Sequence, residues 1–158
     1  MNFYIYRNFT VENLFVGYDA SYSGYSDIAL VPEDVTNYVW FYLPSINLNG
    51  FELANEVVDF QSRLDYLLTR IPEKKRFLLF TLDCLFEFKG ESSSTVVDAA
   101  IQAYNAHLYD LSRKHLNVKV IDFRSFITSA GHGVFDWRFY YISQSLINPK
   151  FNTMFACW

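Results

Sequence analysis

Cysteine is nearly absent from this 158-residue chain, which has only Cys84 and Cys157. Two thiols cannot furnish a four-ligand zinc site. So few also suit a reducing compartment, so the expected location is the cytoplasm. Charge is thin as well: 19% of residues are charged, against about 25% in an ordinary soluble domain. The balance leans acidic, with 13 Lys and Arg against 17 Asp and Glu and a formal charge of −4. Without a basic stripe to follow a phosphate backbone, nucleic acid is not an expected partner. No apolar run approaches the roughly 18 residues that a bilayer-spanning helix needs. The opening residues, Met1 to Arg7, lack the basic stretch and apolar core of a secretory signal. There is no internal repeat, linker or low-complexity tract, and no metal-ligand spacing, P-loop or G-x-G-x-x-G. No metal and no cofactor is therefore expected.

What the chain has in quantity is aromatic surface. It carries 16 Phe, 12 Tyr and 3 Trp, within a hydrophobic share of 51%. That excludes a disordered chain. Residues 1–158 are read as one domain, long enough to bury roughly 68–70% of its unfolded surface without a disulfide or metal. Most of the aromatics are expected to build a core from Phe and Tyr where other proteins use Leu and Val. The rest offer a surface that meets a partner.

Four apolar runs read as strands: Phe3-Tyr4-Ile5-Tyr6, Tyr38 to Leu43, Phe77 to Leu82, and Val118 to Phe123. Runs apolar at nearly every position suit strands covered on both faces, as in a parallel sheet. Ile28 to Val31, ended by Pro32, is a weaker fifth strand. Between the second and third runs, Leu53/Ala54, Val57, Phe60, Leu64, Leu67/Leu68 and Ile71 recur every three to four residues, a helix stopped by Pro72. Asn49 and Glu52 have capping-box spacing. A second helix carries Val97, Ala100/Ile101, Tyr104, Leu108 and Leu111, with Ser93, Ser94 or Thr95 as its cap and Asn117 as its terminator. A short helix from Thr10 or Val11 is expected to join the first two strands. Gly131-His132-Gly133 reads as a loop, and Ser143 to Trp158 as a last helix or strap. The alternation predicts an α/β fold, a three-layer sandwich with a mainly parallel central sheet of flavodoxin-like type.

Ligands of open α/β sheets bind beyond the carboxyl ends of the strands. Those ends offer Arg7, Asn8, Phe9 and Thr10; Ser45 and Asn47; Asp83 and Cys84; and Asp122, Arg124 and Ser125. A loop with His132, Asp136 and Arg138 follows. Tyr104-Asn105-Ala106-His107-Leu108, Leu111 and Val118-Lys119-Val120-Ile121-Asp122 resemble the last helix and strand of the SGNH (GDSL-like) hydrolase fold, where a Y-N-x-x-L helix leads into a V-x-V-x-D strand. Asn8-Phe9-Thr10-Val11-Glu12 and Phe135 to Ser143 resemble, more specifically, the amino-terminal domain of FkbH-like proteins. The resemblance covers nearly the whole chain. It implies a bacterial protein handling small acyl or glyceryl units, in polyketide or surface-polysaccharide assembly. The partners it implies are an acyl carrier protein and a haloacid-dehalogenase (HAD)-type phosphatase domain. FkbH-like proteins usually continue into that phosphatase domain, but its D-x-D-x-T motif is absent here, so either this is a free-standing or truncated version or the phosphatase half lies outside this chain.

An SGNH hydrolase needs a serine in G-D-S after the first strand, an oxyanion hole completed by a glycine and an asparagine, and a D-x-x-H pair. Here Asn8-Phe9-Thr10 stands at the first place and Ser45-Ile46-Asn47 at the middle one. Asp136-Trp137-Arg138-Phe139 stands at the last, with Phe139 where the base belongs. The expected function is therefore a degenerate, non-catalytic module for binding or scaffolding. In that role Asn8, Asn47, Arg138 and Tyr140 line a ligand crevice. The alternative is an esterase or acyltransferase with Thr10 as nucleophile, His132 as base and Asp136 as its orienting partner. Blander roles stand beside these. Thr10 can cap the first helix, and His132 can be a solvated loop residue. Arg138 can pair with Asp136 or Asp122, and Cys84 can be a small core residue. His107 and His115 read as surface or helix-end residues.

Overall fold

The computed structural model describes residues 2–45, 50–83, 92–131, 133–135 and 137–158; of residues 50, 92–95, 137 and 140 it describes the backbone alone. Five strands form one sheet: β1 Asn2–Arg7, β2 Asp19–Tyr25, β3 Asn37–Phe41, β4 Arg76–Phe80 and β5 Val118–Ile121. Their order is β2-β1-β3-β4-β5, and every pairing is parallel. This is the doubly wound order in which the chain reverses direction between β1 and β3. The result is a three-layer α/β sandwich.

Period-two alternation along each strand sends side chains to two separate cores. Tyr4, Tyr6, Tyr38, Trp40, Phe77, Leu79 and Val118 face one side, buried under α1 (Gly50–Arg70) and α2 (Ser92–Lys114). Ile5, Val39, Phe41 and Phe80 face the other, with Phe123, Phe126, Val134, Leu146 and Phe155 packed on them. Three short helices lie in this second half of the chain: α3 (Phe123–Ala130), α4 (Trp137–Ser143) and α5 (Asn152–Cys157). The apolar stripes expected of the two long helices are the buried ones: Leu53, Val57, Phe60, Leu64 and Leu67 on α1, and Val97, Ile101, Tyr104 and Leu108 on α2. Asn49 lies outside the described residues, as do the side chains of Ser93, Ser94 and Thr95.

Three expectations need correction. The link from β1 to β2 is not a helix capped by Thr10. It is a single 3-10 turn, Glu12–Leu14, with Val11 at its cap position and no side-chain cap. The added strand is Asp19–Tyr25, not Ile28–Val31, which lies outside any strand. Ile28 and Val31 are apolar because they pack on the first core as irregular chain, and the carbonyls of Ile28 and Ala29 accept from Arg70. The last run stops being strand at Ile121, and Phe123 begins α3. There the Thr81 hydroxyl accepts from the Phe123 N–H at 2.9 Å, so a residue after β4 caps the helix after β5. The tail combines both expected forms, a 3-10 turn at Pro149–Phe151 followed by α5. Among the described residues no helix is long and apolar enough to cross a membrane.

Candidate functional site

Reversal of strand order between β1 and β3 opens a crevice at their carboxyl ends in folds of this topology. Here Asn8 bridges that opening. Its Nδ2 donates to the Leu43 carbonyl at 2.6 Å and its Oδ1 accepts from the Leu43 N–H at 3.0 Å. The amide thereby extends the β1–β3 ladder past its last backbone pair. Asn105 on α2 does the same beyond β4. Its Oδ1 accepts from the Leu82 N–H at 2.8 Å and its Nδ2 donates to the Leu82 carbonyl at 2.9 Å, both buried. An amide side chain suits this task because it copies the donor and acceptor of a peptide group.

Thr10 sits one turn further on. Its N–H donates to the Gln144 carbonyl at 2.9 Å, and its hydroxyl donates to the Ser143 carbonyl at 2.6 Å. That leaves the Thr10 oxygen to accept from the Tyr25 hydroxyl at 2.8 Å. Gln144 has φ +54°, a left-handed residue just past α4 that turns its carbonyl back toward Thr10. The end of β1 and the end of α4, distant in sequence, are therefore in contact. Phe139 is half-buried on α4 and the Arg138 side chain is exposed. Asn47, His132 and Asp136 lie outside the described residues, as does the side chain of Tyr140. So does Cys84, whereas Cys157 is an exposed free thiol.

Further polar pairs stand near the strand ends. Arg7, with its side chain 11% exposed, lies 2.8 Å from the Glu12 carboxylate and donates from Nε to the Ser23 carbonyl. Its guanidinium stands 4.5 Å from the Tyr25 ring centroid and 5.5 Å from that of Tyr22. Such a cation between rings and a carboxylate fixes the edge strand to β1. Beyond β3, Ser45 donates to Glu56 twice, from its hydroxyl at 2.6 Å and from its N–H at 2.8 Å. Burial pushes the Glu56 carboxyl above its usual range, against the lowering effect of those two hydrogen bonds. Arg124 meets Asp83 at 3.3 Å, an ion pair between α3 and the end of β4. His107 lies 2.6 Å from Asp65 across the α1–α2 contact.

Arg7 and Ser45 were both in view as strand-end residues. Glu12 was in view only as the end of the Asn8-to-Glu12 stretch, and Tyr25 and Glu56 were not, because spatial pairing leaves no trace in spacing. Asn105 had a visible signal in the Y-N-x-x-L helix. Among the described residues no three His, Cys, Asp or Glu side chains gather as a metal site.

No family model and no curated protein matches this chain. Among solved structures, it is similar to the crystal structure of the N-terminal part of the protein BF1531 from Bacteroides fragilis, which contains a phosphatase domain and is complexed with Mg. The TM-score is 0.69 at 12% sequence identity. The match covers 99% of this chain and 50% of that one, so this chain spans about half its length. At that identity the likeness establishes the parallel α/β fold.

Proposed function

We propose that this chain is a degenerate, non-catalytic SGNH-like domain, similar to the amino-terminal domain of FkbH-like proteins. It acts as a binding or scaffolding module in acyl or glyceryl transfer. The observation that carries this reading is the state of Thr10, whose proton is directed at the Ser143 carbonyl rather than at a base. A hydroxyl held this way works as a docking contact between β1 and α4. Phe139 at the position of the usual histidine supports the same reading, since a phenyl ring cannot accept a proton. The BF1531 fragment, of which this chain matches half, contains a phosphatase domain. That arrangement fits an SGNH-like unit working beside a HAD-type phosphatase, and the missing D-x-D-x-T fits this chain to the other half.

In this reading the crevice lies between Asn8-Phe9-Thr10 and residues 136–141. Asn8, through the second Nδ2 hydrogen that it does not give to Leu43, and Asn47 supply neutral donors, Arg138 a charged fork for a phosphate or phosphopantetheine, and Tyr140 a wall. The partner is an acyl carrier protein. Two assays test this. Short p-nitrophenyl acyl esters should not be hydrolysed above background; robust turnover that disappears in Thr10→Ala overturns the proposal in favour of the esterase. Binding of acyl-phosphopantetheine should weaken by about 1.5–3 kcal/mol in Arg138→Ala, the loss of a hydrogen bond to a charged group.

A further inference from the structure

The amino ends of β4 and β5 differ in charge from the rest of the molecule. The α1–β4 and α2–β5 connections with their flanks, residues 70–76 and 113–119, hold seven of the chain's 13 Lys and Arg and one of its 17 Asp and Glu. The two turns form one surface. Asn117 Nδ2 donates to the Lys75 carbonyl at 3.0 Å, and the Phe77 N–H donates to the Asn117 carbonyl at 2.9 Å, which ties them side by side.

Duties inside the fold account for part of this charge. Arg70 donates to the Ile28 and Ala29 carbonyls, and Lys75 to those of Glu33 and Val35. Carbonyls are neutral, so these contacts hold both cations without cancelling them. Arg113 and Lys114 stand in the last turn of α2, where a cation suits the helix dipole, and Arg113 meets Asp110 at 2.9 Å. Lys74, Arg76 and Lys119 lie outside the helices, are exposed, and form no ion pair with a described residue. Between them Leu116 is 91% exposed, the one large apolar side chain that stands out from either turn. A lone exposed leucine is ordinary; one set among unneutralised cations selects its partner.

A stable protein partner covers roughly 800 Å² on each side around a contiguous apolar centre, which a single side chain cannot supply. A bilayer asks for less: cations at the level of the lipid phosphates and an apolar tip in the acyl boundary beneath them. We propose that this end of the molecule docks reversibly on an anionic lipid bilayer, with Leu116 inserted and Lys74, Arg76, Lys114 and Lys119 among the headgroup phosphates. The remaining residues carry the acidic excess that makes the chain −4 overall, so repulsion turns the other faces away from the same membrane. The surface lies at the opposite end of the sheet from the strand-end crevice and uses none of its residues, so it stands or falls independently of the function proposed above.

The test is flotation of the full chain with vesicles of phosphatidylcholine mixed with phosphatidylglycerol, and with vesicles of phosphatidylcholine alone. The chain should float with the anionic vesicles only and be released at about 1 M salt. Lys74→Gln and Lys114→Gln should each weaken binding about fivefold, whereas Lys150→Gln, an exposed lysine outside this surface, should leave it nearly unchanged. Leu116→Ser should weaken it about tenfold. Leu116→Trp should be quenched by brominated acyl chains more than the parent is. All these positions are exposed, so the variants should fold. Absence of flotation with anionic vesicles overturns the proposal. So does equal flotation with phosphatidylcholine, an equal effect of Lys150→Gln and Lys74→Gln, or indifference to Leu116→Ser. Binding to polyglutamate without binding to vesicles also overturns it, and assigns the surface to an acidic protein.

Discussion

Beneath α1 and α2 the sheet presents Tyr4, Tyr6, Tyr38, Trp40 and Tyr42; toward the short helices it presents Ile5, Val39, Phe41, Leu78 and Phe80. Three of these aromatics put a polar handle within reach of an acceptor. The Tyr6 hydroxyl donates to the Leu30 carbonyl at 2.8 Å, the Tyr38 hydroxyl to that of Pro32, and Trp40 Nε1 to the Tyr104 hydroxyl at 2.8 Å. On the second face Phe rings pack on one another and on aliphatic side chains. Phe41 stacks on Phe80 at 4.2 Å and meets Phe123 edge-on at 5.1 Å, and Phe126 meets Phe155 edge-on at 5.2 Å. Those three pairings spare the first face the cost of burying an unpaired donor. The faces differ in closure too. Helices of 21 and 23 residues seal the first, and turns and six- to eight-residue helices leave a trough on the second.

The contrast breaks most sharply at two neighbouring leucines of β4. Leu79 is fully buried under the long helices, whereas Leu78 is partly buried and borders the trough. Leu79→Ala should cost about 2–5 kcal/mol, since its site cannot collapse. Leu78→Ala should cost roughly 1–2 kcal/mol, because part of its surroundings is already empty. Urea melts of both variants decide this; equal losses would mean the two faces are equally closed.

Next in size is the role of the polar handles. Tyr104→Phe leaves the buried Trp40 N–H without an acceptor and should cost about 1–3 kcal/mol. Tyr42 is the counter-case, its hydroxyl buried without a partner among the described residues while the ring stacks 3.8 Å from Trp40. Tyr42→Phe should be neutral or slightly stabilising, within about 1 kcal/mol. A large loss in Tyr42→Phe would mean that the hydroxyl binds an ordered water.

The smallest effect concerns Glu56 at the margin of the first face. Its carboxyl is raised in the folded chain, so between its unfolded and folded pKa values the native state holds the extra proton. Its contribution is complete below the unfolded value and declines as pH rises through the folded one. Glu56→Gln should remove that decline, so the variant should gain on the parent in denaturant melts as pH rises above the ordinary Glu value. A parallel pair of pH curves would rule the effect out.

Much of the fold was legible because buried parallel strands and amphipathic helices write their periods into the chain. Residues 38–43 alternate Tyr-Val-Trp-Phe-Tyr-Leu, and the two faces of the sheet are visible in that alternation. β2 was not legible. Asp19–Tyr25 is a polar edge strand with one buried residue, Ser23, so it lacks the apolar run by which the others were found. Ile28–Val31 misled for the converse reason, being apolar through packing without pairing. Of the candidate site, the sequence placed Asn8 and Thr10 at the end of β1 and Arg138 on a later segment. It was silent on the partners that hold them, because Leu43, Ser143 and Tyr25 are joined to them by folding alone.

Composition and periodicity determined the fold class, the two long helices and four of the five strands, since each is a local property of residue type and spacing. Only the tertiary structure decided that Asn8 closes the opening between β1 and β3, that the Thr10 hydroxyl docks α4, that Glu56 is buried against Ser45, and that the second face keeps a trough. Each of these depends on which backbone groups are left unpaired and how much apolar surface is left uncovered once the elements have packed, quantities that do not exist until the chain has folded.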